Sequence, residues 1–280
     1  MSTLITGGTG QTGLKLAHLL HEANQPFLIT SRSGAAPKPY KSVRFDWLDS
    51  ATFENPFLAD PTINRVYLIG PPVDDMVTQI KPFIDLAVTK GVKRFVLLSA
   101  SQLDKGDPAM GKVHEYLVDI GVEYSILRPT WFADNFTRIF ITSIRNEDHI
   151  FSVAKDGRIP FVSTQDIAQA AFDALLAEKA PNNEPYVLGP VLYSYEEAAE
   201  LLTEILGRKI FYKRRTEAEH RQFFESFGLP KGYAELLVSM ELKVGDGSEE
   251  AFFNIEARKK IIGKESLRDY LLASKEAFSS

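Results

Sequence analysis

Three observations predict an α/β fold built on a doubly wound parallel sheet. Residues 2–13 run from a short apolar strand into three glycines, Gly7, Gly10 and Gly13, spaced G-x-x-G-x-x-G, with helical periodicity starting at the third. From residue 26 to about residue 128 strand-like and helix-like segments alternate, the pattern of parallel strands joined by crossover helices. After Arg128-Pro129 the stretches become longer and helical, which predicts a smaller, mostly helical substrate-side domain. The expected division is a Rossmann-like dinucleotide-binding domain over residues 1–150, with sheet additions from about 159–190, and the smaller domain over 151–280.

The first strand is Ser2-Thr3-Leu4-Ile5, and the glycine-rich segment after it reads as a nucleotide-binding turn. A diphosphate approaches the main chain closely only where no Cβ intervenes, and a helix start meets it with unpaired N–H groups and partial positive charge. Gly7 makes the tight turn, Gly10 admits the diphosphate with Gln11 and Thr12 behind it, and Gly13 lets the helix lie close to the strand. Leu14, Ala17 and Leu20 then recur at helical spacing, and Pro26-Phe27-Leu28-Ile29-Thr30 reads as the second strand. Further strands are expected at 43–45, 65–69, 94–98 and 124–127, with helices over 74–90 and 109–120 between them. Right-handed crossovers make the doubly wound order the economical one.

Beyond residue 128, strand-like pieces are expected around 159–162 and 185–188. Ser194 with Glu197 three residues on is a capping-box start, and Gly207 a natural stop. Residues 216–245 and 265–278 read as helical. The basic runs Lys213-Arg214-Arg215 and Arg258-Lys259-Lys260 read as solvated faces.

Composition bounds the chemistry. At 280 residues, 44% apolar and 25% charged, the chain can bury an ample core. A net charge of −5 gives no electrostatic reason to expect nucleic acid or an anionic membrane as a partner. With no cysteine, disulfides, thiolate nucleophiles and cysteine-ligated metals are excluded. The first strand begins almost at Met1, leaving no room for a leader, and no apolar run is long enough to cross a bilayer, so a cytoplasmic location is expected. There is no G-x-S-x-G elbow and no H-E-x-x-H, and the five histidines show no metal-ligand spacing beyond His18 and His21 on one helix face, so no metal is expected.

The cofactor is read from the end of the second strand. The NAD-specific form of this turn places an acidic residue there to bind the ribose 2′-hydroxyl. Between Glu22 and Asp46 there is no Asp or Glu, and the strand end reads Thr30-Ser31-Arg32-Ser33. An arginine flanked by hydroxyls suits a 2′-phosphate, and one charge-assisted hydrogen bond is worth about 1.5–3 kcal/mol, roughly 10–100-fold in affinity. NADPH/NADP is therefore expected over NADH. Asp46-Trp47 has two readings: a carboxylate and indole at the adenine ring, or a helix cap and a core residue. Gly70-Pro71 and Ser99-Ala100 end the fourth and fifth strands, where ligands collect in an open sheet, and are candidates for the nicotinamide side.

With these residues, Phe95-Val96-Leu97-Leu98-Ser99-Ala100-Ser101 and the run from Tyr124 to Asn135 in view, the chain resembles the NmrA-like branch of the atypical short-chain dehydrogenases, and within it the fungal ergot-alkaloid enzymes. Phe45-Asp46-Trp47-Leu48, Met110-Gly111 with His114, Ile159-Pro160-Phe161 with Asp166-Ile167-Ala168, and Leu188-Gly189-Pro190 carry the same likeness, which fades after about residue 245. It implies NADPH-dependent reduction of an iminium formed from chanoclavine-I aldehyde, giving agroclavine or festuclavine.

Many relatives with carbonyl substrates carry Tyr-x-x-x-Lys after the fifth strand; here Gly106 and Met110 occupy those positions. Hydride addition to a ketone makes an alkoxide that must be stabilised and protonated, whereas addition to an iminium gives a neutral amine directly. An iminium reductase does without the dyad. No catalytic residue stands out; Asp134 as a counter-ion to the cation and His114 as an acid are the candidates. Trp131 and Phe132, just past the sixth strand, can stack on an indole or flank a cationic centre, and Asn135 can orient a polar group; the alternative is that the two aromatics are core. The substrate expected is a small cationic or aromatic nitrogen heterocycle. Two other readings stay open, an NADP-sensing regulatory protein and a quinone or small-carbonyl reductase.

Overall fold

The computed structural model describes residues 1–279. Ser280, the last residue of the expected second domain, lies outside the described residues. In chain order the elements are β1 (Ser2–Ile5), α1 (Gln11–Glu22), β2 (Phe27–Ser31), β3 (Ser42–Arg44), α2 (Asn55–Ala59), β4 (Ile63–Leu68), α3 (Met76–Thr89), β5 (Arg94–Leu98), α4 (Met110–Asp119) and β6 (Glu123–Pro129). The chain continues through α5 (Ile141–Glu147), β7 (His149–Ser152), α6 (Thr164–Leu176), β8 (Tyr186–Leu188), α7 (Tyr195–Leu206), β9 (Phe211–Arg214), α8 (Glu217–Ser226), α9 (Lys231–Gly245), α10 (Ser248–Phe253), β10 (Lys260–Ile262) and α11 (Leu267–Ala273).

The doubly wound α/β sheet is present. By hydrogen bonding the strand order is β10-β8-β6-β5-β4-β1-β2-β3, a parallel central sheet of eight strands, and β7 pairs with β9 separately. The register sets Leu4 of β1 against Leu28 of β2 and Val66 of β4, so the chain's order reverses at β1.

Two compact units divide the chain: residues 1–128 with 167–185, and residues 129–166 with 186 onward. The first is built on β1 to β6. Its strands are near-continuous apolar runs because both faces are covered, and Leu4, Ile29, Val66, Phe95 and Ile126 are all fully buried. Helix α1 buries Leu16, Ala17 and Leu20, so the expected stripe is present with Leu16 on it instead of Leu14. Phe45, Trp47, Phe53 and Phe83 form an aromatic cluster with ring centroids 4.8–6.1 Å apart.

The second unit packs around Phe136, Phe140, Phe161 and Tyr195. Helix α7 starts and stops as expected: Ser194 Oγ accepts from the Glu197 N–H, the Glu197 carboxylate accepts from the Ser194 N–H, and Gly207 closes the helix at φ +69°. Three expectations are corrected. Residues 159–162 form no strand: Ile159 bridges Tyr193 and Val162 bridges Phe132 as isolated pairs, because Pro160 has no N–H to offer a ladder. Its carbonyl instead accepts from Thr130 Oγ1 at 2.7 Å and the Gly189 N–H at 2.8 Å. The helical stretch 216–245 is two helices, since Gly228 takes φ +79° and Pro230 restarts the chain as the N-cap of α9. Residues 265–278 shorten to α11 and a 3-10 turn over Lys275–Phe278.

Both basic runs are mostly solvated, as expected: Lys213, Arg214, Arg258 and Lys259 are exposed, and only Arg215 and Lys260 are half-buried. Lys213 and Arg214 close the edge of β9, and Lys260 begins β10. Arg215 lays its guanidinium 3.3 Å from the Phe151 ring centroid. Among the described residues no helix is long and apolar enough to cross a membrane.

Candidate functional site

The glycine turn has the shape a diphosphate requires. Gly7 sits at φ +58°, a left-handed conformation that a side chain resists. A Cβ on Gly10 would stand 3.0 Å from the Gly7 carbonyl, and one on Gly13 would come within 2.8 Å of the Gly8 Cα and 2.9 Å of the same carbonyl. Gly8 matters equally, although it lies outside the glycine spacing: its Cβ would meet Ile29 Cγ2 at 2.2 Å. Gly10 is the N-cap of α1 and supplies no side-chain cap. The first-turn N–H groups of Gln11, Thr12 and Gly13 therefore have no intrahelical partner and face an anion's position.

Behind the turn, the Tyr67 hydroxyl donates to Thr12 Oγ1 at 3.1 Å in a fully buried contact. Burial pushes the Tyr67 phenol far up, so it stays protonated. The Thr12 side chain thus holds the helix to β4, and only its N–H is left for a ligand. Thr6 ties the ends of β1 and β4 together, its Oγ1 accepting from the Ile69 N–H at 2.7 Å. Gly8 donates its N–H to the Thr30 carbonyl at 3.1 Å, joining the turn to β2.

The remaining cofactor candidates lie at the C-terminal ends of neighbouring strands. Arg32, one residue past β2, is exposed and makes no ion pair among the described residues, while Ser31 Oγ donates to the Ala35 carbonyl at 2.7 Å and shapes its loop. Gly70 and Pro71 come after β4; a Cβ on Gly70 would stand 2.7 Å from Met76 Sδ. Ser99 and Ala100 come after β5, and Ser99 Oγ is buried with no hydrogen-bond partner. Gln11 Oε1 is a second buried acceptor without one. A glycine cradle, two orphaned polar atoms and an unpaired arginine at the switch point fit a phosphorylated dinucleotide.

At Asp46-Trp47 the structure separates the two residues. Asp46 is half-buried and its carboxylate accepts from the Leu48 N–H. Trp47 lies in the aromatic cluster and donates its indole N–H to the Ile69 carbonyl at 3.0 Å. Its ring is core, and it holds the strand end that carries Gly70 in place.

His114, the candidate acid, is buried. Burial outweighs the pull of Glu184 and lowers its pKa, so at neutral pH the ring is an uncharged imidazole, a poor acid. Beside it Arg128 donates to the Ser101 carbonyl at 2.8 Å and Asp104 at 2.6 Å. After β5 no Tyr–Lys pair appears: Gly106 lies at φ +90° and Met110 opens α4.

In the second unit, both oxygens of Asp134 are occupied at the start of α6, accepting from the Thr164 N–H at 2.9 Å and hydroxyl at 2.6 Å. That carboxylate anchors a helix, which removes the motive for reading it as a counter-ion. Phe132 is half-buried in its bridge to Val162. Trp131 and Asn135 line a narrow cleft with Tyr195, His220 and Glu241. The pair His220 and Glu241 carries no sequence signal, since the two stand far apart in the chain and neither belongs to a motif. Two family-like patches also meet, since a Cβ on Gly189 would collide with the Phe161 carbonyl, while Asp166 accepts from the Lys264 and Glu265 N–H groups.

No family model matches the chain. It is 43% identical over 272 residues to an agroclavine dehydrogenase of Claviceps fusiformis, covering 95% of this chain and 93% of the relative. It is 44% identical over 262 residues to festuclavine synthase II of Penicillium roqueforti, covering 91% of each. Among solved structures, the triphenylmethane reductase of Citrobacter sp. complexed with NADP(H) superimposes with a TM-score of 0.75 at 20% identity, covering 98% of this chain and 99% of that one.

Proposed function

The chain belongs to the agroclavine dehydrogenase and festuclavine synthase family of oxidoreductases, and on that premise we propose that it is an NADPH-dependent reductase of a cyclic iminium ion in clavine-type alkaloid metabolism. The observation that carries the C=N assignment is the segment after β5, where Gly106 and Met110 stand in place of a hydroxyl and an ammonium. A ketone would need a proton donor there; an iminium carbon that accepts hydride leaves a neutral amine and needs none.

When bound, NADPH supplies the hydride. The chain's part is to bind and orient. Gly7, Gly10 and Gly13 hold the diphosphate against the start of α1, with Gln11 and Thr12 donating main-chain N–H groups. Ser31 and Arg32 meet the 2′-phosphate, and Asp46 accepts from the adenine amine. Gly70, Pro71, Ser99 and Ala100 would flank the nicotinamide, with Trp47 fixing the strand end that carries Gly70 through its bond to the Ile69 carbonyl. Trp131 and Phe132 cover the flat indole of the substrate, and Asn135 orients it.

The test monitors the loss of NADPH absorbance with a cyclic N-methyl iminium, with a quinone, and with no acceptor. Oxidation that depends on the iminium is the expected result. Tight NADPH binding without turnover of any acceptor would turn the reading toward a nucleotide sensor, and a preference for the quinone toward a carbonyl-type reductase.

A further inference from the structure

A guanidinium is buried beneath the segment that follows β5. Arg128, the last residue but one of β6, has a side chain only 5% exposed, and an apolar residue of similar volume would fill that place as well or better. Where its donors go explains the arginine. Nη2 donates to the Ser101 carbonyl at 2.8 Å and to Asp104 Oδ1 at 2.6 Å, both on the loop between β5 and α4. Nη1 donates to Glu184 Oε2 at 3.5 Å, ahead of β8 and off that loop.

Asp104 ties the loop together, although its own side chain is 76% exposed. Its N–H donates to Asp107 Oδ2 at 2.8 Å, and its carbonyl accepts from the Asp107 N–H at 3.1 Å. A Cβ on Gly111, in the first turn of α4, would collide with the same carbonyl. The main chain of Asp104 is thus bound to its own loop and packed against α4, while its carboxylate goes to Arg128. An ion pair between two exposed side chains is worth little, but here one partner is fixed in the sheet. The pair therefore fastens to β6 a loop that begins with Ser99 and Ala100 and passes through Gly106.

We propose that Arg128 and Asp104 are positioning residues for hydride transfer: their ion pair holds the loop after β5 in the arrangement that sets Ser99 and Ala100 against the nicotinamide and its acceptor. The inference rests on the reading of the chain as an NADPH-dependent reductase. Without the Tyr–Lys dyad, placement is what this loop contributes to the reaction, and a misplacement of about 1 Å costs about 100-fold in rate.

Glu184 provides the comparison. Asp104→Ala and Glu184→Ala each take one exposed carboxylate from the same buried guanidinium, but only Asp104 lies on the loop. Protein loaded with NADPH is mixed with a cyclic N-methyl iminium in stopped flow, and the single-turnover rate constant is read. An unfolded fraction lowers the amplitude of that signal and leaves its rate constant alone. Asp104→Ala is expected to slow hydride transfer about 10–100-fold, the worth of one charge-assisted hydrogen bond, with NADPH affinity unchanged. Glu184→Ala is expected to keep the wild-type rate constant. A wild-type rate constant in Asp104→Ala, or equal losses in the two variants, overturns the proposal. Arg128→Met leaves two solvated carboxylates and no buried charge, so it keeps the test open if Asp104→Ala does not fold. It is expected to be at least as slow as Asp104→Ala, and the double variant no slower than Arg128→Met, because the two side chains act as one unit. A wild-type rate constant in Arg128→Met, or losses that multiply in the double variant, overturns the pairing. The two readings fail separately. A wild-type protein that reduces the iminium no faster than Asp104→Ala keeps the reductase and loses the positioning pair. One that turns over a quinone and no iminium loses the C=N reading, and the variants are then compared on the quinone with the same outcomes. A chain that oxidises NADPH with neither acceptor overturns both.

Discussion

Arg32 is the residue on which we propose that cofactor choice turns. It is exposed at the end of β2, free of ion pairs among the described residues, and no carboxylate lies between Glu22 and Asp46 to answer a 2′-hydroxyl instead. Arg32→Ala is expected to weaken NADPH binding about 10–100-fold and leave NADH binding as it was, read by fluorescence titration of both nucleotides. Gly13→Ala tests the turn itself. The new methyl would press on the Gly8 Cα at 2.8 Å and the Gly7 carbonyl at 2.9 Å, neither of which can yield like a side-chain tip. Loss of about 1–3 kcal/mol in urea unfolding is expected, with NADPH affinity falling at least about 10-fold. At this scale the glycine spacing and the missing acid are legible in sequence, because each acts through its own chain neighbours. Trp47, Asp134 and His114 are not: an indole bonded to Ile69, a carboxylate spent on Thr164 and a ring buried beside Glu184 all depend on contacts made across the fold.

The elements that can be read are those with local punctuation. Helix α7 carries its own start in Ser194 and Glu197 and its own stop in Gly207. Ser194→Ala removes the acceptor for the Glu197 N–H and is expected to lower stability by about 0.5–2 kcal/mol in urea unfolding, with NADPH affinity unchanged. Strands β7, β9 and β10 escape the sequence: at three or four residues each is too short for a period to declare itself, and none runs into a marker such as the glycine turn that betrays the equally short β1. The segment around Pro160 misleads in the other direction. Its apolar run looks like a strand, but its carbonyl holds Thr130 and Gly189 and so joins two neighbours without a ladder. The break between α8 and α9 is marked by Gly228 and Pro230, yet a continuous apolar stripe masks it.

Across the whole molecule, the sheet order around β1 puts the glycine turn, Arg32 and the ends of β4 and β5 at the switch point of an open parallel sheet, where such folds bind ligands. Stability of the first unit has a pH signature from His114. Its folded pKa lies below its ordinary 6.5, so just under that pH the unfolded chain binds a proton that the folded chain refuses. Stability is therefore unaffected above that window and falls as pH drops through it. His114→Gln is expected to narrow the difference in urea midpoint between about pH 7 and about pH 5, relative to wild type. An unaltered difference would remove the ring from the acid response.

The proposed chemistry is a two-electron transfer from NADPH to a carbon doubly bonded to a charged nitrogen. Its most direct measurement uses NADPH dideuterated at nicotinamide C4 with a cyclic N-methyl iminium, the product read by mass spectrometry. One deuterium on the carbon beside nitrogen in the amine product is the expected result. An amine without deuterium, or no amine at all while NADPH remains bound, would contradict it.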